Sequence, residues 1–202
     1  MLEASEVPVQ ETINEKHQPG FPAFKEWAIV CASIGSGETT VIFRKGGIAE
    51  GRKGFQFKHR SFFLFPTYFH EQIEQTRLGR ERDMKARNDG VAISVFVEVE
   101  FCSWVHDLTP IKALEPLHVL QSSVLEQRFH YNQQEGLHVA FLRAFRITPV
   151  WELPSHPSYG GCRSWITLPD LPFDLRKDPV LADLEQDRRR SLYLDSIRSH
   201  VE

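Results

Sequence analysis

The sequence predicts an α+β fold, a mixed or antiparallel sheet with helices around it. Two alternating stretches and a set of helix signals carry that prediction. Val91, Ile93, Val95, Val97, Val99 and Phe101 alternate with Ala92, Ser94, Phe96, Glu98 and Glu100. That is the two-residue period of a half-buried strand. Leu137, Val139, Phe141, Phe145 and Ile147 repeat the pattern, with Arg143 interrupting it. Around these stretches stand Thr109-Pro110, Ser123 with Glu126, and the spacing of Leu194, Ile197 and Val201, all of which read as helix signals.

Taken in order, residues 1 to 19 read as a flexible tail, rich in Glu and Gln and poor in large apolar groups. Pro19-Gly20 closes it. Residues 21 to 34 mix both periods and read as a short helix or bend running into a strand. Gly35-Ser36-Gly37 is a turn, and Thr39 to Arg44 a β-branched strand, so a hairpin is expected there. Phe62 to Phe65 is apolar on both faces, as in a central strand, and Pro66 ends it. The charged stretch from Ile73 to Asp89 is an exposed helix or mobile loop. Thr109 caps a short helix with Pro110 at its first position. Ser123 and Glu126 form the capping box of another helix. Short strands around Val150-Trp151 and Trp165-Ile166 flank Pro154. A single core domain over 20 to 169 is expected, followed by a C-terminal extension over 170 to 202 with an amphipathic helix.

The composition sets limits on function. With 202 residues, 41% hydrophobic and 25% charged, the chain can bury a core without disulfide or metal staples. Its apolar runs are far shorter than the ~20 residues of a membrane span, and no signal peptide is visible. Cys31, Cys102 and Cys162 are odd in number and widely spaced, which reads as reduced thiols in the cytoplasm. The formal charge of −3 gives no general attraction to polyanions, so any such binding must come from a local patch. The glycine-rich dinucleotide and Walker loops, the serine-hydrolase elbow, Cys-x-x-Cys and His-Glu-x-x-His are all missing. The acid-x-lysine triplet of a nuclease is matched only by Asp83-Met84-Lys85, in a stretch without strand character.

Four groups of residues remain as chemical candidates. Arg44, Lys45, Arg52, Lys53, Lys58 and Arg60 face one acid, Glu50, in a short segment punctuated by Gly46, Gly47, Gly51 and Gly54. Backbone amides beside fixed cations make anion-binding concavities, and Phe55 and Phe57 either stack on bases or alternate into the core. Thr67, Tyr68 and His70 follow a buried strand, where a scaffold presents hydrogen-bonding groups; the plainer reading is a helix cap and a structural donor. Glu98 and Glu100 share a strand face and either bind a metal, with His106 or Asp107, or pair with arginines such as Arg44 or Arg143. Arg143 itself needs a carboxylate or a bound anion. Cys162, between two glycines and Arg163, opens a turn into a strand.

Phe24-Lys25-Glu26-Trp27-Ala28, Arg44-Lys45-Gly46-Gly47-Ile48, Phe62 to Thr67 with His70, and Gly161-Cys162-Arg163-Ser164-Trp165 together resemble an uncharacterised bacterial family catalogued as domain of unknown function 1802. The resemblance spans roughly residues 22 to 168 and implies no activity. The order of elements is also similar to the PUA-like barrels. The ASCH group among these leads into its first barrel strand with glycine-lysine-threonine, which Gly37-Glu38-Thr39-Thr40-Val41-Ile42-Phe43-Arg44 matches except at Glu38. The lysine with which some members perform amidohydrolase chemistry is therefore missing. This second resemblance implies a sheet curled toward a small PUA-like β barrel, with a cleft for a nucleotide or modified base.

The resulting expectation is a nucleic-acid or nucleotide-binding module without cofactor or metal. Arg44, Lys45, Gly46, Gly47, Lys58, Arg60 and Arg143 would hold the anion, and Thr67, Tyr68 and His70 would face a base or sugar. The alternatives are a small hydrolase, metal-dependent or not, built on His70, Glu98 and Glu100, and a non-catalytic interaction subunit that recruits a protein through the C-terminal helix.

Overall fold

The computed structural model describes residues 20–45, 55–82, 89–131 and 134–198. The expected tail, Gly46 and Gly47, and the 83–85 triplet lie outside them. The first strand, β1 (Phe21–Trp27), leads directly into helix α1 (Ala28–Gly35). Sequence periodicity gave the opposite order. The reason is burial: β1 is flanked on both sides, and α1 is sunk in the core nearly all round, so neither carries an amphipathic stripe. The side chain of Gln72 fixes the junction by accepting from the Ile29 N–H at 3.2 Å and donating to the Thr67 carbonyl at 2.5 Å.

Strand β2 (Val41–Arg44) forms no hairpin with β1. It pairs with β5 (Leu137–Pro154), a partner nearly a hundred residues away that local pattern cannot reveal. Strand β3 (Ser61–Thr67) is central, as expected. Phe62 and Leu64 face one apolar cluster, and Phe63 and Phe65 the other. It runs through Pro66 rather than stopping there, because its pairing with β4 (Gly90–Val105) extends only to Phe63↔Phe96. Beyond that point β3 is flanked only by β1, so the missing proline N–H forfeits no ladder bond toward β4.

The strict alternation expected in β4 is broken by a register shift between Ile93 and Val95. Ile93 joins Phe96 in one cluster, while Val95, Val97 and Val99 lie in the other. Across that shift β4 advances two residues while β5 advances five, from Trp151 to Arg146. A second shift lies between Val99 and Phe101, where β4 advances two residues against one on β5, Leu142 to Phe141. Along β5, Leu137, Val139 and Phe141 face the first cluster, and Phe145 and Ile147 the second.

Helix α2 (Leu108–Ala113) is capped by Asp107, whose carboxylate accepts from the Thr109 N–H at 2.8 Å, so the helix begins one residue before Thr109. Helix α3 (Ser122–Phe129) has no side-chain cap bond. Glu126 pairs instead with Lys112, at 2.7 Å. Strand β6 (Trp165–Leu168) lies antiparallel on β1. Strand β7 (Arg176–Pro179) pairs with β5, and helix α4 (Asp183–Arg198) packs on the first cluster, so the stretch after 169 is tied to the same sheet. The buried anchor of α4 is Tyr193, against Phe101 and Phe141, with Leu194 and Ile197 half-buried beside it.

The result is a mixed seven-stranded sheet in the order β2-β5-β4-β3-β1-β6, with β7 alongside β5 and no closure into a barrel. It has an apolar cluster on each face. Among the described residues no helix is long and apolar enough to cross a membrane.

Candidate anion-binding cleft

Parallel pairing sets Trp27 opposite Thr67, so β1 and β3 end together. Strand β6 runs antiparallel to β1 with Trp165 opposite Phe24, which brings the preceding loop to the same place. The Lys25 N–H donates to the Ser164 carbonyl at 2.8 Å and seals that junction. A cleft of about 170 Å³ opens there, lined by Lys25, Trp27, Arg44, Thr67 and residues Gly161, Cys162, Arg163 and Ser164. The four sequence blocks around Phe24, Arg44, Pro66 and Gly161 each contribute to it.

The cleft is built from cations. Lys25 is only 8% exposed, and its ammonium donates to the Gly160 and Gly161 carbonyls, at 3.0 Å each, leaving one N–H over. Burial first, and then the neighbouring Arg163, push its pKa below the usual lysine value. Arg44 lies over the Phe24 ring at 4.6 Å, donates to the Lys25 carbonyl and pairs with the buried Glu26 at 3.3 Å. Its Nε–H is buried without a partner. Glu26 also accepts from the Trp27 N–H at 2.7 Å. Arg163 is exposed and has no hydrogen bond or ion pair among the described residues.

Behind this wall, Arg128 stacks on Trp27 at 4.4 Å, with its pKa lowered to about 10 by burial. Phe69 packs against the same ring at 4.9 Å. The Thr67 hydroxyl donates to the Glu26 carbonyl at 3.0 Å.

The loop adds backbone donors. Gly161 has φ +79°, the left-handed region that favours glycine, and a Cβ there would meet open space. Among the described residues the N–H groups of Gly161, Cys162 and Arg163 donate to nothing. Successive unpaired amides in such a turn make a concavity suited to anions.

The residues singled out from sequence fall in several places. Arg44 and Thr67 line the cleft. Lys45 turns the other way: its ammonium caps the carbonyls of Phe129, Gln134 and Gly136 and sits over Trp104. Lys58 and Arg60 are exposed, but Arg60 precedes Thr67 by seven residues of extended chain, ~23 Å. Tyr68 and His70 follow Thr67 without lining the cleft. Phe55 and Phe57 are buried against Phe24, so they pack in the core and offer no stacking face. Arg143 pairs with Asp183 of α4. Gly46 and Gly47 fall outside the described residues.

His70, Glu98 and Glu100 do not converge. Glu98 sits opposite Ser61, at the far end of β3 from His70, and Glu100 lies further still. Glu100 is engaged by Arg190 at 2.7 and 3.0 Å and by Gln186 at 3.1 Å. His106 is exposed, and Asp107 is the α2 cap. Among the described residues no group of three or more His, Cys, Asp and Glu side chains is placed to hold a metal ion. Glu38, where the ASCH-type signature has lysine, forms a two-bond pair with Arg82 at 2.9 and 2.6 Å.

Lys25, Arg128 and Arg163 were missed as site residues. Lys25 and Arg163 stood within noted blocks, but only the β1–β6 pairing brings them together. For Arg128, on a short helix, no local signal exists.

A family model described as a domain of unknown function (DUF1802) matches residues 23–191. No curated protein matches the chain. Among solved structures, the chain is similar to the crystal structure of ASCH from Zymomonas mobilis, with 12% identity and a TM-score of 0.44, over 84% of this chain and 92% of that one. A point-mutant form of the same ASCH protein gives 15% identity and a TM-score of 0.42, over 85% and 94%.

Proposed function

The chain belongs to the DUF1802 family, and because that membership assigns no activity, we propose from the cleft itself that the protein binds nucleic acid or a nucleotide-like, phosphate-bearing ligand. The observation that carries this reading is the meeting of Lys25, Arg44 and Arg163 with three unpaired loop amides in one cleft. Among the described residues the carboxylate beside them, Glu26, is buried and already paired with Arg44. The surplus is positive, and it is local in a chain whose formal charge is −3. Fixed cations and backbone N–H groups are what phosphate oxygens require. Trp27 already carries Arg128 and Phe69, so the cleft offers charge more than stacking surface. Binding would therefore follow the phosphate rather than the base.

Titrating labelled single-stranded RNA, single-stranded DNA and nucleotides by fluorescence anisotropy tests the reading. Binding is expected at low salt and should weaken as salt rises. Arg163→Ala, at an exposed position, should reduce affinity and lower the salt slope by about one. Absence of binding to all of these ligands at low salt would overturn it.

A further inference from the structure

Resting on the phosphate-binding reading above, we infer that the cleft takes a terminal phosphate, a phosphomonoester dianion at the end of a strand, in preference to a phosphodiester within one. Size is the first argument. A volume of about 170 Å³ is below the ~300–1,000 Å³ of pockets that enclose a whole small ligand. It holds one compact group and leaves the rest of the ligand outside.

Charge is the second. Lys25, Arg44 and Arg163 line the cleft, and among the described residues only Glu26 opposes them, which leaves a surplus of two positive charges. Arg128, behind Trp27, adds to the same field. A phosphomonoester carries about −1.5 to −2 near neutral pH, whereas a diester carries a single charge. The monoester meets that surplus and the diester only part of it.

Donor count is the third. The remaining Lys25 N–H, the Arg163 guanidinium and the unpaired amides of Gly161, Cys162 and Arg163 belong to residues that line one cleft. A monoester presents three peripheral oxygens to such a set. A diester presents two and must also thread its second ester bond out of the cleft. Lys25 is fixed for this task because its other two protons are held by the Gly160 and Gly161 carbonyls. That contact also ties the loop to β1, so the cation and the amides are positioned as one unit.

The test uses the full chain and four probes of matched composition: single-stranded RNA with a 5′-phosphate, with a 3′-phosphate, with hydroxyls at both ends, and adenosine monophosphate. Affinities are read by anisotropy or competition. One of the phosphorylated RNAs should bind roughly tenfold or more tightly than the hydroxyl-ended RNA, the worth of a charge-assisted bond or two. Inorganic phosphate should compete, and Arg163→Ala should erase the difference between the ends. Adenosine monophosphate binding as well as the better phosphorylated RNA identifies a free nucleotide as the source of the phosphate; weaker binding identifies a strand end. Equal affinity for all three RNAs overturns the terminal-phosphate inference while leaving phosphate binding intact. No binding by any probe overturns both. Arg163→Ala leaving the preference unchanged, with the same melting temperature as the wild type, overturns this cleft as its seat.

Discussion

Replacing Glu100 with glutamine asks whether this carboxylate anchors a helix or serves chemistry. Glu100 accepts from Arg190 Nε at 2.7 Å, from its Nη2 at 3.0 Å and from Gln186 Nε2 at 3.1 Å. Gln186 also donates to the Leu142 carbonyl at 3.1 Å, so Glu100 and Gln186 together tie α4 to both β4 and β5. The Glu100 and Arg190 side chains are 18% and 30% exposed, so screening is partial. Charge-assisted bonds in that setting contribute about 1.5–3 kcal/mol; discounted for the remaining solvent, a loss of about 1–2 kcal/mol is expected. For a domain of this size that lowers the melting temperature by ~2–8 °C. Hydrogen exchange should localise the change to α4 amides. A double-mutant cycle with Arg190→Met should return a coupling of at least ~0.5 kcal/mol. Zero coupling, with melting and α4 protection unchanged in Glu100→Gln, would refute the anchor.

Lys45→Ala should lower the melting temperature by an amount corresponding to ~1–3 kcal/mol, because it strips the donor from carbonyls at the end of α3 and beyond. Affinity for single-stranded RNA should stay at the wild-type value, and a drop matching that of Arg163→Ala would show that Lys45 contacts the ligand. His118 is buried, and burial followed by Arg77 lowers its pKa to about 3. The unfolded chain binds a proton there near pH 6.5 that the folded protein refuses, so stability should fall as pH drops from about 6.5 toward 3. In His118→Asn, whose side-chain oxygen can still accept from the Leu120 N–H, denaturant unfolding should show a shallower acid slope. An unchanged slope would exclude His118 as its source.

The long strands and the depth of β3 were legible in the sequence, because a half-buried strand alternates and a doubly buried one does not. So was a glycine turn before β6, since only glycine settles readily at the Gly161 backbone angle. Local pattern could not show the register shifts in β4, which divide six evenly spaced apolar residues between two clusters. Nor could it order β1 and α1, whose burial on every side erases periodicity. The basic segment illustrates the division most clearly. Arg44 and Lys45 are neighbours in sequence, yet Arg44, the last residue of β2, lines the cleft while Lys45, just past the strand, caps the end of α3. Meanwhile Lys25, Arg44 and Arg163, scattered over most of the chain, become a single positive wall. Composition decided that any anion site had to be local. Only strand pairing, which joins residues far apart in sequence, decided where the charges gather.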